Sequence, residues 1–164
     1  MFLFKVVREG VTPRASAPAP TRPEQRHHVY EYAFVSYCSA DLEKVLLGLR
    51  GMVRLWEQEG IKYFFDRRNI KHGEPWRTSI GEHLDKCDLF VLFWSKAARE
   101  SEEVGKEISY ALARKGGSDE RPPAFDPFTI EKPVPVPLPK GLESYHFGDE
   151  LLNYMKGGEE RKDV

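Results

Sequence analysis

The chain has 164 residues, 40% of them hydrophobic and 31% charged, and a formal net charge of −1. That length suits one domain and is short for two ordinary ones. The near balance of charge and the scatter of basic residues exclude the electrostatic footprint of a nucleic-acid binder. Two cysteines, Cys38 and Cys87, are too few for a disulfide framework. They read as small apolar residues in a reduced compartment. Neither has a second Cys or His at metal-ligand spacing, so no metal is expected.

The opening run MFLFKVVREG is interrupted too soon, by Lys5 and Arg8, to be a signal peptide or membrane span. No other segment approaches spanning length, so a cytoplasmic location without membrane contact is expected. Residues 10–28 are rich in Pro, Ala, Ser and Arg, a composition that cannot bury enough apolar surface to offset its ordering entropy. The organisation expected is a flexible segment over residues 1–28, one folded domain over 29–156, and a charged tail over 157–164.

Within the domain, residues 32–37 (YAFVSY) have the composition of a buried strand. Ser39, Ala40 and Asp41 follow as a loop with helix-capping residues. Leu42, Val45, Leu46, Leu49, Met52, Val53 and Trp56 recur at helical spacing and predict a long amphipathic helix that stops at Gly60. Residues 61–65 read as a second strand, 66–75 as a polar loop, and 76–86 as a shorter helix. The run LFVLFW over 89–94 is the most apolar in the chain, as suits a central parallel strand covered on both faces. A third helix is predicted over 101–115, ended by Gly116 and Gly117. Residues 125–130 form a strand that Pro127 assigns to an edge position. The proline-rich stretch 133–139 is extended, 145–147 adds a last short strand, and Asp149 caps a terminal helix.

Strands alternating with helices at this spacing predict right-handed crossovers and a sheet covered on both sides. Ligands of such folds bind outside the carboxyl ends of the strands, here the loops after Tyr37, Phe65 and Trp94. The chain contains no GxGxxG, no GxxxxGK[ST] and no GxSxG, so dinucleotide fingerprint, P-loop and hydrolase elbow are excluded on pattern. A phospho-receiver would need acidic residues after its first and third strands, where this chain has Ser36-Tyr37 and Ser95-Lys96. On the third helix, Val104, Ile108, Ala111 and Leu112 form the apolar stripe. At roughly 100° per residue, Glu107 falls at the edge of that stripe. Helix geometry alone makes it a boundary residue at the rim of the sheet.

The order of motifs resembles the TIR (Toll/interleukin-1 receptor) domain family, particularly its bacterial members. Residues 32–37 with Ser39-Ala40-Asp41 look like the family's opening box. DRRNIKHGEPW over 66–76 looks like its BB loop, and residues 87–95 resemble the central-strand box that ends in serine. Ser101, Val104 and Glu107 match the S-x-x-V-x-x-E pattern around the family's functional glutamate. The resemblance covers about residues 30–154. It implies a flavodoxin-like α/β fold, with a central five-stranded parallel sheet and helices on both faces.

The resemblance further implies an NAD+ nucleosidase that cleaves the nicotinamide–ribose bond and releases ADP-ribose or a cyclic product. NAD+ is then the substrate, and no cofactor is implied. Glu107 takes the place of the catalytic carboxylate. Tyr37, Ser39, Asp66, Trp76 and Glu103 are the candidates to line the substrate cleft; Trp76 either offers an aromatic surface or packs at the start of its helix. Glu103 stands where catalytic relatives often carry tryptophan, four residues before the glutamate. Arg67, Arg68, Asn69, Ile70, Gly73 and Glu74 belong to the assembly loop, which in the family reaches a neighbouring protomer. The implied partners are other TIR protomers in a homo-oligomer or filament, and a separate sensor or activator protein, in a bacterial defence or signalling system. The alternative is a non-catalytic TIR adaptor that acts by homotypic association. A nucleotide-binding module without turnover is a third reading.

Overall fold

The structure, a computed structural model, describes residues 30–65 and 76–153, with side chains from residue 80 onward in the second stretch. The segment 1–28, the loop positions 66–74, the Trp76 side chain and the tail 157–164 lie outside the described residues. In chain order the elements are β1 (Tyr32–Ser36), α1 (Leu42–Glu59), β2 (Lys62–Phe64), α2 (Trp76–Lys86), β3 (Leu89–Trp94), α3 (Lys96–Glu100), α4 (Glu102–Lys115) and β4 (Ala124–Thr129).

The four strands form one parallel sheet in the order β2-β1-β3-β4. The chain steps outward from β1 to β2, crosses back over β1 to β3, and continues to β4. With right-handed crossovers, that reversal places the first helix on one face and the later helices on the other. Val45, Leu49 and Trp56 of α1 pack with Ala33, Val35, Leu89, Val91 and Phe93. Ile80 and Leu84 of α2, Ala98 of α3, and Val104, Ile108 and Ala111 of α4 pack with Phe34, Phe64, Phe90, Leu92 and Trp94.

The period-two alternation of the strands builds these two cores. On the α4 side it aligns an aromatic ladder across all four strands. Phe64 pairs with Phe34, Phe34 with Phe90, and Phe90 with Phe125. Ring centroids along the ladder are 5.4, 5.6 and 5.0 Å apart. Each such pair adds about 0.5–1.5 kcal/mol beyond its buried area. β3 is buried at every position, as its unbroken apolar run predicts for a strand covered on both faces.

Helix ends follow from local chemistry. α1 closes on Gly60, at φ 74°, whose amide donates to the Glu57 carbonyl at 3.3 Å while Ile61 donates to that of Trp56 at 2.8 Å. This is a Schellman closure, and the left-handed residue is one that glycine adopts without a Cβ clash. Ser95 caps α3 by accepting from the Ala98 amide at 2.9 Å, and Ser101 caps α4 by accepting from the Val104 amide at 3.2 Å. The predicted helix over 101–115 is therefore preceded by a separate five-residue helix, too short for a periodic pattern to announce.

The expected fifth strand is reduced to a single parallel bridge between Phe128 and Gly148. The amide of Gly148 donates to the Pro127 carbonyl at 2.9 Å and that of Thr129 to the Gly148 carbonyl at 2.8 Å. The chain then turns into a short helix at residues 151–153, so no run remains to extend the pairing. The same geometry explains Pro127. Its carbonyl points outward to Gly148, so its nitrogen also faces away from β3, and the missing N–H removes no bond from the β3 ladder.

Candidate functional site

In sheets of this class ligands bind at the topological reversal, which here lies where the chain departs in opposite directions from the carboxyl ends of β1 and β3. Two serine–carboxylate pairs occupy that place. Ser36, the last residue of β1, shares parity with Phe34 and so points to the α4 side. Its hydroxyl donates to Glu107 Oε1 at 2.7 Å, and both residues have 0% exposure. Ser95, which follows β3, donates to Asp41 Oδ2 at 2.5 Å, and both residues are buried.

Glu107 lies inside the buried stripe of α4, with Val104, Ile108, Ala111 and Lys115. The boundary position suggested by helix geometry is corrected here. The small side chain of Ser36 leaves room at the end of β1 and supplies a donor, so the carboxylate turns inward. An ionised carboxylate in such surroundings carries a desolvation cost of several kcal/mol, only partly offset by hydrogen bonds.

The other expected residues are distributed unevenly around this pair. Tyr37 is 5% exposed and stacks on Phe65, with centroids 5.1 Å apart. Ser39 is exposed on the turn over Ser39–Asp41. Glu103 is exposed in the first turn of α4, where a carboxylate is favoured by the helix dipole. Asp66 and the loop residues Arg67, Arg68, Asn69, Ile70, Gly73 and Glu74 lie outside the described residues, as does the Trp76 side chain.

Sequence reasoning singled out neither Ser36 nor Asp41 as site residues. A signal for Ser36 exists: a hydroxyl ends an otherwise apolar strand, with the parity of its core face. For Asp41, a carboxylate at the start of α1 suggests a helix cap, but its side chain makes no cap bond and serves Ser95 instead.

At the same end of the sheet, the proline-rich stretch is held by its carbonyls. Trp94 Nε1 donates to the Pro135 carbonyl at 2.9 Å, and Arg99 Nη1 to that of Val136 at 2.5 Å. At the opposite, amino end of the sheet, a depression of about 490 Å³ is bordered by Tyr30, Trp56, Ile61, Leu89, Ala124 and Asp126. It shares no residue with the serine–carboxylate pairs. Beside it the Asp126 carboxyl is pushed up to about 6 by burial and by the charge of Glu150.

The model of the family described as TIR domain matches residues 33–158. Among solved structures, the chain is similar to the TIR domain of the Toll-related receptor TRR-2 from Hydra magnipapillata. The TM-score is 0.53 at 17% identity, over 79% of this chain and 92% of that one. At that identity the likeness speaks for the fold. No curated protein matches the sequence.

Proposed function

The chain belongs to the TIR domain family, and on that premise we propose that it is an NAD+ nucleosidase with Glu107 as its catalytic carboxylate. The observation that carries the reading is the placement of Glu107: a carboxylate of 0% exposure, on the core stripe of α4, bonded to the end of β1 at the topological reversal. A buried carboxylate is a poor way to stabilise a core, because an apolar residue of similar volume fills the space without the desolvation cost. A chemical task at the ligand-binding end of the sheet accounts for that expense.

The chemistry suits one carboxylate. The glycosidic carbon–nitrogen bond breaks with its electron pair passing to the positively charged nicotinamide ring, which leaves neutral and requires no general acid. Positive charge then develops on the ribosyl carbon, where a nearby carboxylate stabilises it and orients the sugar hydroxyls. Water adds its oxygen to that carbon and releases a proton, giving ADP-ribose; capture by an adenine nitrogen gives a cyclic product.

Glu107 has no exposed surface in the isolated protomer, so substrate contact requires a rearrangement. TIR domains self-associate or bind other TIR domains; assembly, triggered by a separate sensor or activator, is the proposed source of that change. The same burial favours one second reading, an adaptor that works by TIR–TIR association and never exposes the carboxylate.

NAD+ consumption by concentrated full-length protein, with and without a crowding agent, separates the two. The enzyme reading predicts turnover that rises with assembly and falls by at least about 100-fold in Glu107→Gln, which keeps an acceptor for Ser36. Turnover at the wild-type rate in that variant removes Glu107 from the mechanism. Assembly without turnover in every condition establishes the adaptor.

A further inference from the structure

Ser36 reaches Glu107 from the end of β1, and both residues of the pair are sealed from solvent. The two residues are 71 positions apart and belong to different layers, so the bond fixes α4 against the end of β1 at one point. We infer that Ser36 is a positioning residue for catalysis, its hydroxyl setting the orientation of the Glu107 carboxylate. This rests on the nucleosidase reading above and deepens it.

A hydroxyl that donates to a carboxylate stabilises the ionised form, the form needed beside a developing cation. The bond restricts the rotation of the carboxylate, and a restriction kept through the rearrangement that admits substrate lowers the cost of orienting it. Finally, the donor comes from the last residue of a central strand, among the stiffest places in an α/β domain. Ser36 pairs with Leu92 of β3, and its neighbour Val35 with Val91. A donor on such an element holds its geometry while loops above it move.

The Cys87 thiol is pushed up to about 12 by burial and donates to the Leu84 carbonyl, so it is inert as a nucleophile. The three protons of the Lys115 ammonium are taken by backbone carbonyls. The depression at the amino end of the sheet has nothing in it that identifies an occupant.

The test uses full-length protein under assembling conditions, comparing wild type, Ser36→Ala, Ser36→Cys and Ser36→Thr, with thermal melts to confirm folding. The expected result for Ser36→Ala is a fall in kcat of about 10- to 100-fold with KM held within about two-fold. Loss of the donor also moves the acid limb of the pH profile upward. Ser36→Cys, close in volume but a weak donor, falls between, and Ser36→Thr restores most of kcat. An unchanged kcat and acid limb in Ser36→Ala overturns the assignment while leaving Glu107 in place. A fall in kcat with no movement of the acid limb and no rescue by Thr assigns Ser36 to packing alone and overturns it equally. A wild type that consumes no NAD+ in any assembled state overturns the nucleosidase reading, and this assignment with it.

Discussion

Ser95 donates its hydroxyl proton to Asp41 Oδ2 at 2.5 Å and so ties the loop after β3 to the loop after β1. The Ser95 hydroxyl oxygen in turn accepts from the Ala98 amide and starts α3. One buried side chain thus joins the two loops at the carboxyl ends of the central strands and caps α3. The arrangement explains why Asp41 makes no cap bond to α1, although it precedes that helix.

Removing that hydroxyl therefore breaks two bonds at once. Ser95→Ala is expected to lower unfolding free energy by about 2–3 kcal/mol, combining a lost cap with a buried carboxylate left short of a donor. Asp41→Asn keeps a carbonyl oxygen for Ser95 and should lose less than about 1 kcal/mol. Urea unfolding of both variants checks the order. A loss in Ser95→Ala no larger than that in Asp41→Asn shows that the pair does not hold the two loops together.

Asp126 predicts a pH dependence of stability. Burial, then the charge of Glu150, raises its carboxyl from 3.8 to about 6. The folded state therefore keeps this proton to higher pH than the unfolded chain does. As pH rises from about 4 to about 6, the unfolded state ionises first, and stability falls. The full shift corresponds to about 3 kcal/mol, reduced to about 2 by partial exposure to solvent. Asp126→Asn should be more stable than wild type by about that amount at pH 7.5, and equal to it below pH ~4. Unfolding curves at the two pH values decide, and an equal gain at both refutes the linkage.

Lys115 organises the connection from α4 to β4. Its ammonium donates to the carbonyls of Asp119, Arg121 and Pro123 at 3.2, 2.8 and 3.1 Å and lies 5.9 Å from the Phe125 ring centroid. Lys115→Met preserves most of the buried stem and removes the three donors. A loss of about 2 kcal/mol is expected, with faster amide exchange over residues 116–123. Lys106→Met, at an exposed site on the same helix, should stay within about 0.5 kcal/mol of wild type. Equal effects at the two sites would remove the special role of Lys115.

Much of the layout was legible because it depends on short-range periodicity. The spacing of apolar residues predicts the helix over 76–86 at the bounds α2 occupies. The unbroken run over 89–94 predicts a central strand buried on both faces, and the glycine stop of α1 has the left-handed backbone such a stop requires. Where periodicity had too few residues to act on, the reading missed. The five residues of α3 complete little more than one turn, and the fifth strand shrinks to one bridge at Gly148.

The sequence by itself determined the order of elements, the parity of each strand and the angular position of Glu107 on its helix. These follow from bond geometry and from the 2.0- and 3.6-residue repeats. It could not say that Glu107 faces the interior, because an angle on a helix does not name the strand end that the helix meets. Only the tertiary structure brought Ser36 and Glu107 within 2.7 Å across 71 positions of chain. It likewise turned Asp41 from a helix cap into the acceptor for Ser95. In both cases the deciding quantity is the direction of a buried hydrogen bond, set once α4 and α3 are packed on the sheet and not before.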